Sequence, residues 1–124
     1  KRIGLARALA AEPEIVLYDE PTTGLDPVTT DIINEMILQT KRRRGVTSIV
    51  VSHDMNSSLK VGDRISMLYR GRIIFTGTPE EVRTTSNPYV RQFVEGRAEG
   101  PITRQDQEVL QDQVHAAPPP RKSS

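Results

Sequence analysis

The run Ile15-Val16-Leu17-Tyr18-Asp19-Glu20-Pro21-Thr22-Thr23-Gly24-Leu25-Asp26-Pro27 constrains this chain more than any other segment. An apolar stretch leads into two adjacent carboxylates, then a glycine turn, then an Asp-Pro pair of the kind that opens a helix. Short apolar runs bounded by turn residues form buried parallel strands, and ligands of open α/β sheets gather where such strands end. Pro21 disfavours the α region for Glu20, so Glu20 is expected to stay extended at the strand end. By itself an Asp-Glu pair is weak evidence, because most such pairs are solvated turn residues. At the end of a buried strand such a pair is a candidate for chemistry on a bound ligand.

The neighbouring segments supply the rest of an alternating pattern. Lys1 to Ala11 carries Ala and Leu at helical spacing with no capping residue before it, so it is expected to be a helix entered partway along. A second helix is expected from Pro27, capped by Asp26 and closed by Gly45. Its apolar face is drawn from Val28, Ile32 and Met36 together with Ile33 and Ile37. Thr47 to Ser52 is a β-branched strand ending at His53-Asp54, and Asp54 can cap a short helix through Ser57, Ser58 and Leu59. Strand, helix, strand, helix implies a parallel sheet.

Ile65 to Tyr69 and Arg72 to Thr76 are separated only by Arg70-Gly71, too short for a crossover, so they are expected to form an antiparallel hairpin. Thr78-Pro79-Glu80-Glu81 opens another helix with capping-box spacing. A short helix around Tyr89 to Val94 should carry Val90, Phe93 and Val94 on one side and end at Gly96. Ile102 to Val114 has the pattern of a weakly amphipathic helix, and Ala116 to Ser124 holds too little apolar surface to order itself.

Composition narrows the partners. With 124 residues, 35% hydrophobic and 27% charged, the chain suits one domain with a modest core. No apolar run approaches the roughly 20 residues a helix needs to cross a bilayer, and no signal-peptide pattern opens the chain. The absence of cysteine leaves no disulfide framework and no thiolate metal site. A net charge of +1 gives no argument for nucleic acid as a partner. The local cluster Lys41-Arg42-Arg43-Arg44 falls in the last turn of a helix, where cations meet the negative end of the dipole. A phosphate or lipid-headgroup contact is the alternative reading.

The ordered pieces resemble the ABC-transporter ATPases. Ile15 to Glu20 resembles a Walker B strand, Thr23-Gly24-Leu25-Asp26 the D-loop, and Ser52-His53-Asp54 the switch-histidine segment. Lys1 to Ala10, with its Ala6-Arg7-Ala8-Leu9 run, resembles the helix that follows an LSGGQ-type signature loop. The resemblance covers about residues 1–95, leaving 96–124 as a C-terminal extension. It implies an α/β fold: the C-terminal portion of a P-loop NTPase parallel-sheet core, with a β-hairpin and short C-terminal helices.

It also implies ATP and Mg²⁺ as cofactors and gives roles to four residues. Phosphoryl transfer to water needs Mg²⁺ to offset charge on the phosphates and a group to orient the attacking water. By resemblance Asp19 takes the metal and its nucleotide, and Glu20 acts as general base or water-positioner. His53 contacts the γ-phosphate and supports catalysis there, while Asp26 lies at a dimer interface linking two nucleotide sites. Read from the residues alone, His53 could instead be a strand-end histidine that caps the helix near Asp54.

No G-x-x-x-x-G-K-[ST] motif occurs anywhere, nor a Q-loop or signature loop. The chain is therefore expected to be a fragment that alone neither binds ATP tightly nor turns it over. An unpaired strand edge should also leave it marginally stable or prone to aggregate.

Within the family, Asn87 to Ile102 is similar to the ending of the ATPases in Mla-type phospholipid transporters of Gram-negative envelopes, the match resting on the Arg-Gln-Phe and Gly-Pro-Ile pieces. That branch implies a homodimer of ATPase subunits bound to an integral membrane permease at the cytoplasmic face of the inner membrane, with a substrate-binding lipid protein as a further partner. The alternatives are a soluble ABC-type ATPase of DNA repair or the ribosome, and an inactive truncated remnant.

Overall fold

A computed structural model describes residues 2–103, with side chains from Gly4 onward. Helix α1 (Arg2–Ala10) leads to strand β1 (Ile15–Asp19), helix α2 (Pro27–Arg44), strand β2 (Thr47–Val51) and helix α3 (Met55–Val61). Strands β3 (Ile65–Tyr69) and β4 (Arg72–Gly77) follow, then helices α4 (Pro79–Thr84) and α5 (Pro88–Glu95). The expected helix from Ile102 lies almost wholly outside the described residues, as does the tail after it.

β1 and β2 pair in parallel, in register from Ile15 opposite Thr47 to Asp19 opposite Val51. α2 connects them, as a parallel pair requires. Its start matches the sequence: the Asp26 carboxylate accepts hydrogen bonds from the amides of Val28 and Thr29, and Pro27 is the first helical residue. Its end does too, since Gly45 adopts φ +61° and its amide donates to the Lys41 carbonyl.

The buried arc of α2 is narrower than the spacing suggested. Ile33 and Ile37 are buried against Val61 of α3, with Tyr18, Leu25, Met36, Leu38 and Val50 packed around them. Val28 is 71% exposed and Ile32 is also exposed. The β1–β2 pair is only two strands wide, so it covers one stripe of α2 and leaves those flanking residues in water.

The other face of that pair is uncovered among the described residues. Ile15 and Leu17 of β1 and Ile49 and Val51 of β2 alternate away from α2, and each is more than half exposed. Parallel sheets are normally covered on both faces.

The hairpin forms as expected. Ile65 lies opposite Gly77 and Tyr69 opposite Arg72, with an irregularity at Met67/Leu68. Arg70 and Gly71 both have positive φ, +48° and +75°, the condition of the two-residue turn that matches strand twist.

Behind the hairpin, α5 turns a different side inward than its apolar pattern implies. Val90 and Gln92 are buried, whereas Phe93 is exposed and Val94 half-buried. Gln92 is inside because its amide is fully used. Its Nε2 donates to the carbonyls of Ile102 (2.9 Å) and Arg97 (3.2 Å), and its Oε1 accepts from the Ile102 amide (2.8 Å). Gly100 passes so close that an added Cβ would lie 2.5 Å from that Oε1. The Tyr69 hydroxyl donates to the Pro101 carbonyl at 3.4 Å, and the Tyr69 and Tyr89 rings meet with centroids 4.9 Å apart. The Arg-Gln-Phe and Gly-Pro-Ile pieces thus contact each other.

Candidate active site

The ends of β1 and β2 bring together residues 33 positions apart in the chain. Glu20 follows β1, and its amide donates to the Val51 carbonyl at 2.8 Å, extending the ladder one step past the strand. His53 follows β2 at the same end, and its Nδ1 lies 3.1 Å from Glu20 Oε1 and 3.0 Å from Oε2. The His53 side chain is 70% exposed and that of Glu20 36%. Packing therefore does not fix this pair, and polar contacts must.

The backbone at Glu20 departs from the extended form expected from Pro21. Its φ is +47°, in the left-handed region that non-glycine residues seldom occupy. The proline ring closes the right-handed region to Glu20. The chain must nevertheless leave the sheet there while the Glu20 amide still pairs with β2. Such strain concentrates at functional sites. Gly24, at φ +76°, completes the loop that returns the chain to the Asp26 cap.

Hydrogen bonds, rather than packing, hold the Glu20 carboxylate. The Thr23 hydroxyl donates to Oε2 at 2.9 Å, and His53 contacts both oxygens. Burial alone would raise the Glu20 carboxyl. The His53 hydrogen bond, the Thr23 hydrogen bond and the charge of His53 outweigh it and hold the group below the ordinary carboxylate value.

Asp19 projects on the uncovered side of the sheet with Leu17, exposed to solvent. Among the described residues no three His, Cys, Asp or Glu side chains converge into a metal cage. The donor set still fits magnesium, which keeps several waters and binds proteins through one or two carboxylates plus substrate phosphates. Asp26 is exposed at the other end of the loop. The Thr29 hydroxyl and amide, joined by the Val28 amide, outweigh slight desolvation and hold its carboxyl below the usual range. The four residues of interest therefore occupy two neighbouring segments: Asp19, Glu20 and Asp26 around the loop after β1, and His53 after β2.

The capping role belongs to Asp54 rather than to His53. Asp54 Oδ1 accepts from the Ser57 amide at 3.2 Å and Oδ2 from the Ser57 hydroxyl at 2.9 Å. The Ser57 hydroxyl in turn accepts from Nδ2 of Asn34, on α2, at 2.9 Å. Asn34 and Ser57 are both buried. This chain of bonds ties the residue beside His53 to the middle of α2. The Asp54 cap was expected from the sequence, and the Asn34 link to Ser57 was not. Asn34→Ala leaves buried Ser57 short of a donor and is expected to destabilise the fold by about 1–3 kcal/mol. Urea unfolding read against the parent chain checks it.

No family model matches the chain. Among curated proteins, Mkl of Mycobacterium leprae, a probable ribonucleotide transport ATP-binding protein, is 42% identical over 102 residues, covering 82% of this chain and 29% of Mkl. OpuCA of Bacillus subtilis, a glycine betaine/carnitine/choline transport ATP-binding protein, is 39% identical over 119 residues, 95% of this chain and 31% of OpuCA. MlaF of Escherichia coli, the ATP-binding protein of an intermembrane phospholipid transport system, is 37% identical over 102 residues, 82% of this chain and 38% of MlaF.

Solved structures of ABC ATP-binding cassettes superpose with the chain, among them the following two. CbiO1 of Clostridium perfringens, part of the ABC transporter complex CbiONQ, gives a TM-score of 0.63 at 33% identity over 66% of this chain and 33% of that one. The dimeric ATP-binding cassette MJ0796, in a post-hydrolysis state with ADP and phosphate bound, gives 0.57 at 36% identity over 63% and 33%.

The fold is that of an ABC ATPase domain, an α/β P-loop NTPase class, over the residues the chain contains. Its homologues are the ATP-binding proteins of ABC transporters, and this chain is one of that family. It spans about three tenths to two fifths of the length of the curated relatives named above.

Proposed function

We propose that these residues supply the metal-binding, water-orienting and γ-phosphate-contacting groups of an ATP-hydrolysing transporter subunit. The observation that carries the reading is the Glu20–His53 contact, 3.0 and 3.1 Å, beside Asp19 at one end of a parallel strand pair. Asp19 would hold Mg²⁺, which when bound offsets charge on the phosphates. Glu20, kept ionised at neutral pH, accepts a hydrogen bond from the attacking water and draws its proton, a task set first by reach. His53 contacts the γ-phosphate as charge develops there. Asp26 faces a second ATPase subunit, where its exposed carboxylate links the two nucleotide sites.

Hydrolysis needs phosphate-cradling amides that a glycine-rich loop provides, and this sequence has no such motif. Activity is therefore a property of a protein in which this segment meets a P-loop. In that protein phosphate release is expected to require Mg²⁺. Asp19→Ala should lower kcat at least tenfold and shift the Mg²⁺ dependence to higher concentration. Hydrolysis that persists in chelator, or that the 124-residue chain performs by itself, would overturn this reading.

The transported substrate is proposed to be phospholipid. The names of the relatives span ribonucleotide, betaine and phospholipid transport. The likeness of Asn87 to Ile102 to the ending of the Mla-type ATPases, with MlaF among the relatives, is what supports the phospholipid reading. In that setting the subunit works as a pair at the cytoplasmic face of the inner membrane, on an integral permease and with a lipid-binding partner. Phospholipid co-purifying with the assembled complex supports this. Betaine-stimulated hydrolysis without lipid removes it.

A further inference from the structure

Glu20 is held by neither packing nor a regular backbone conformation. Its side chain is 36% exposed, its φ is +47°, and its neighbour His53 is more exposed still. The direction of its carboxylate is set by hydrogen bonds. His53 supplies one contact from the opposite strand end. Another comes from within the loop itself, from the Thr23 hydroxyl.

We propose that Thr23 is a positioning residue for Glu20, fixing the carboxylate direction in which it meets the attacking water. The proposal rests on the assignment of Glu20 made above. Thr23 closes the turn Glu20-Pro21-Thr22-Thr23 twice. Its amide donates to the Glu20 carbonyl at 3.3 Å, and its hydroxyl donates to Glu20 Oε2 at 2.9 Å. The preceding Thr22 is buried and its carbonyl accepts from the Leu25 amide at 3.2 Å, which anchors the loop on which Thr23 stands. With Pro21 fixing one backbone dihedral, few freedoms remain between the two side chains.

Oε2 is thus shared between a hydroxyl on one side and an imidazole on the other. A carboxylate held from within its own loop as well as from the opposite strand end spends less time in unproductive rotamers. An interaction that orients a catalytic group should appear in kcat and not in nucleotide affinity.

The test uses the ATP-hydrolysing protein that contains this segment. Thr23→Val keeps the shape and β-branching of the side chain and removes the hydroxyl. It is expected to lower kcat about tenfold, the scale of one hydrogen bond to a charged group, with KM for ATP unchanged. Thr23→Ser restores the hydroxyl and should restore most of the rate. In a Glu20→Gln background, Thr23→Val should cause little further loss, since the group it positions is gone.

A Thr23→Val rate equal to the parent's, a Thr23→Ser loss as deep as that of Val, or a full additional loss on top of Glu20→Gln would each overturn the proposal. If Glu20→Gln itself leaves hydrolysis intact, the assignment of Glu20 fails instead. Matching thermal melts for the Val and Ser variants separate positioning from general damage to the loop.

Discussion

Glu20→Gln is expected to lower the rate of ATP hydrolysis by about 10²–10⁴-fold, the usual contribution of a positioned acid or base, while leaving nucleotide affinity within a few-fold. Glutamine has the shape of glutamate and keeps an oxygen for the Thr23 hydroxyl, so the loop after β1 should hold its form. What it lacks is the negative charge that draws a proton from water. The other nearby polar groups have roles of their own, Asp19 being assigned to the metal. His53 already spends Nδ1 on the Glu20 carboxylate, and the Asp26 carboxylate is committed to the start of α2 through Val28 and Thr29. Parallel assays of phosphate release and of nucleotide binding decide it. A rate within twofold of the parent would take Glu20 out of the reaction.

Ile37→Ala is the most damaging simple truncation expected in the fold. Ile37 is 4% exposed and shares the small cluster with Ile33 and Val61. Emptying such a site costs about 2–5 kcal/mol, against a total of about 5–15 kcal/mol for a typical domain. Leu17→Ala, on the opposite side of the same two strands, should cost under about 1 kcal/mol, because Leu17 is 71% exposed and already in water. Chemical denaturation of both variants gives the comparison. Equal losses would mean that the outer face is covered in solution. Light scattering would then reveal whether other copies of the chain provide the cover.

The sequence was most readable where a local rule has a single outcome. Asp26-Pro27 and Gly45 bounded α2 because capping and termination depend on a few adjacent residues. Arg70-Gly71 left no connection but a hairpin. The expected Glu20 backbone went wrong for a physical reason: the proline effect excludes one region without choosing among the rest, and the pairing of the Glu20 amide with Val51 made that choice. The width of the buried stripe on α2 was equally out of reach, since it depends on how many strands lie against the helix. Val28 and Ile32 satisfy helical periodicity and still face water.

Asn34 and Gln92 were missed because nothing local marks a polar side chain whose partner lies 23 or ten residues away. The resemblance gave Glu20 and His53 separate roles, and their contact is seen only in the structure. Spacing along the chain placed each at a strand end, and the parallel register of β1 and β2 then put those ends side by side.

The grip of Gln92 on the segment after α5 bears on how this region can drift over evolutionary time. Gln92 holds main-chain atoms of Arg97 and Ile102 and reads neither side chain. Substitutions at 97, 98 and 99 can accumulate without loosening it, whereas Gly100 admits no side chain against the amide. Relatives that keep a glutamine and a glycine eight residues apart can therefore follow the same path with little else in common.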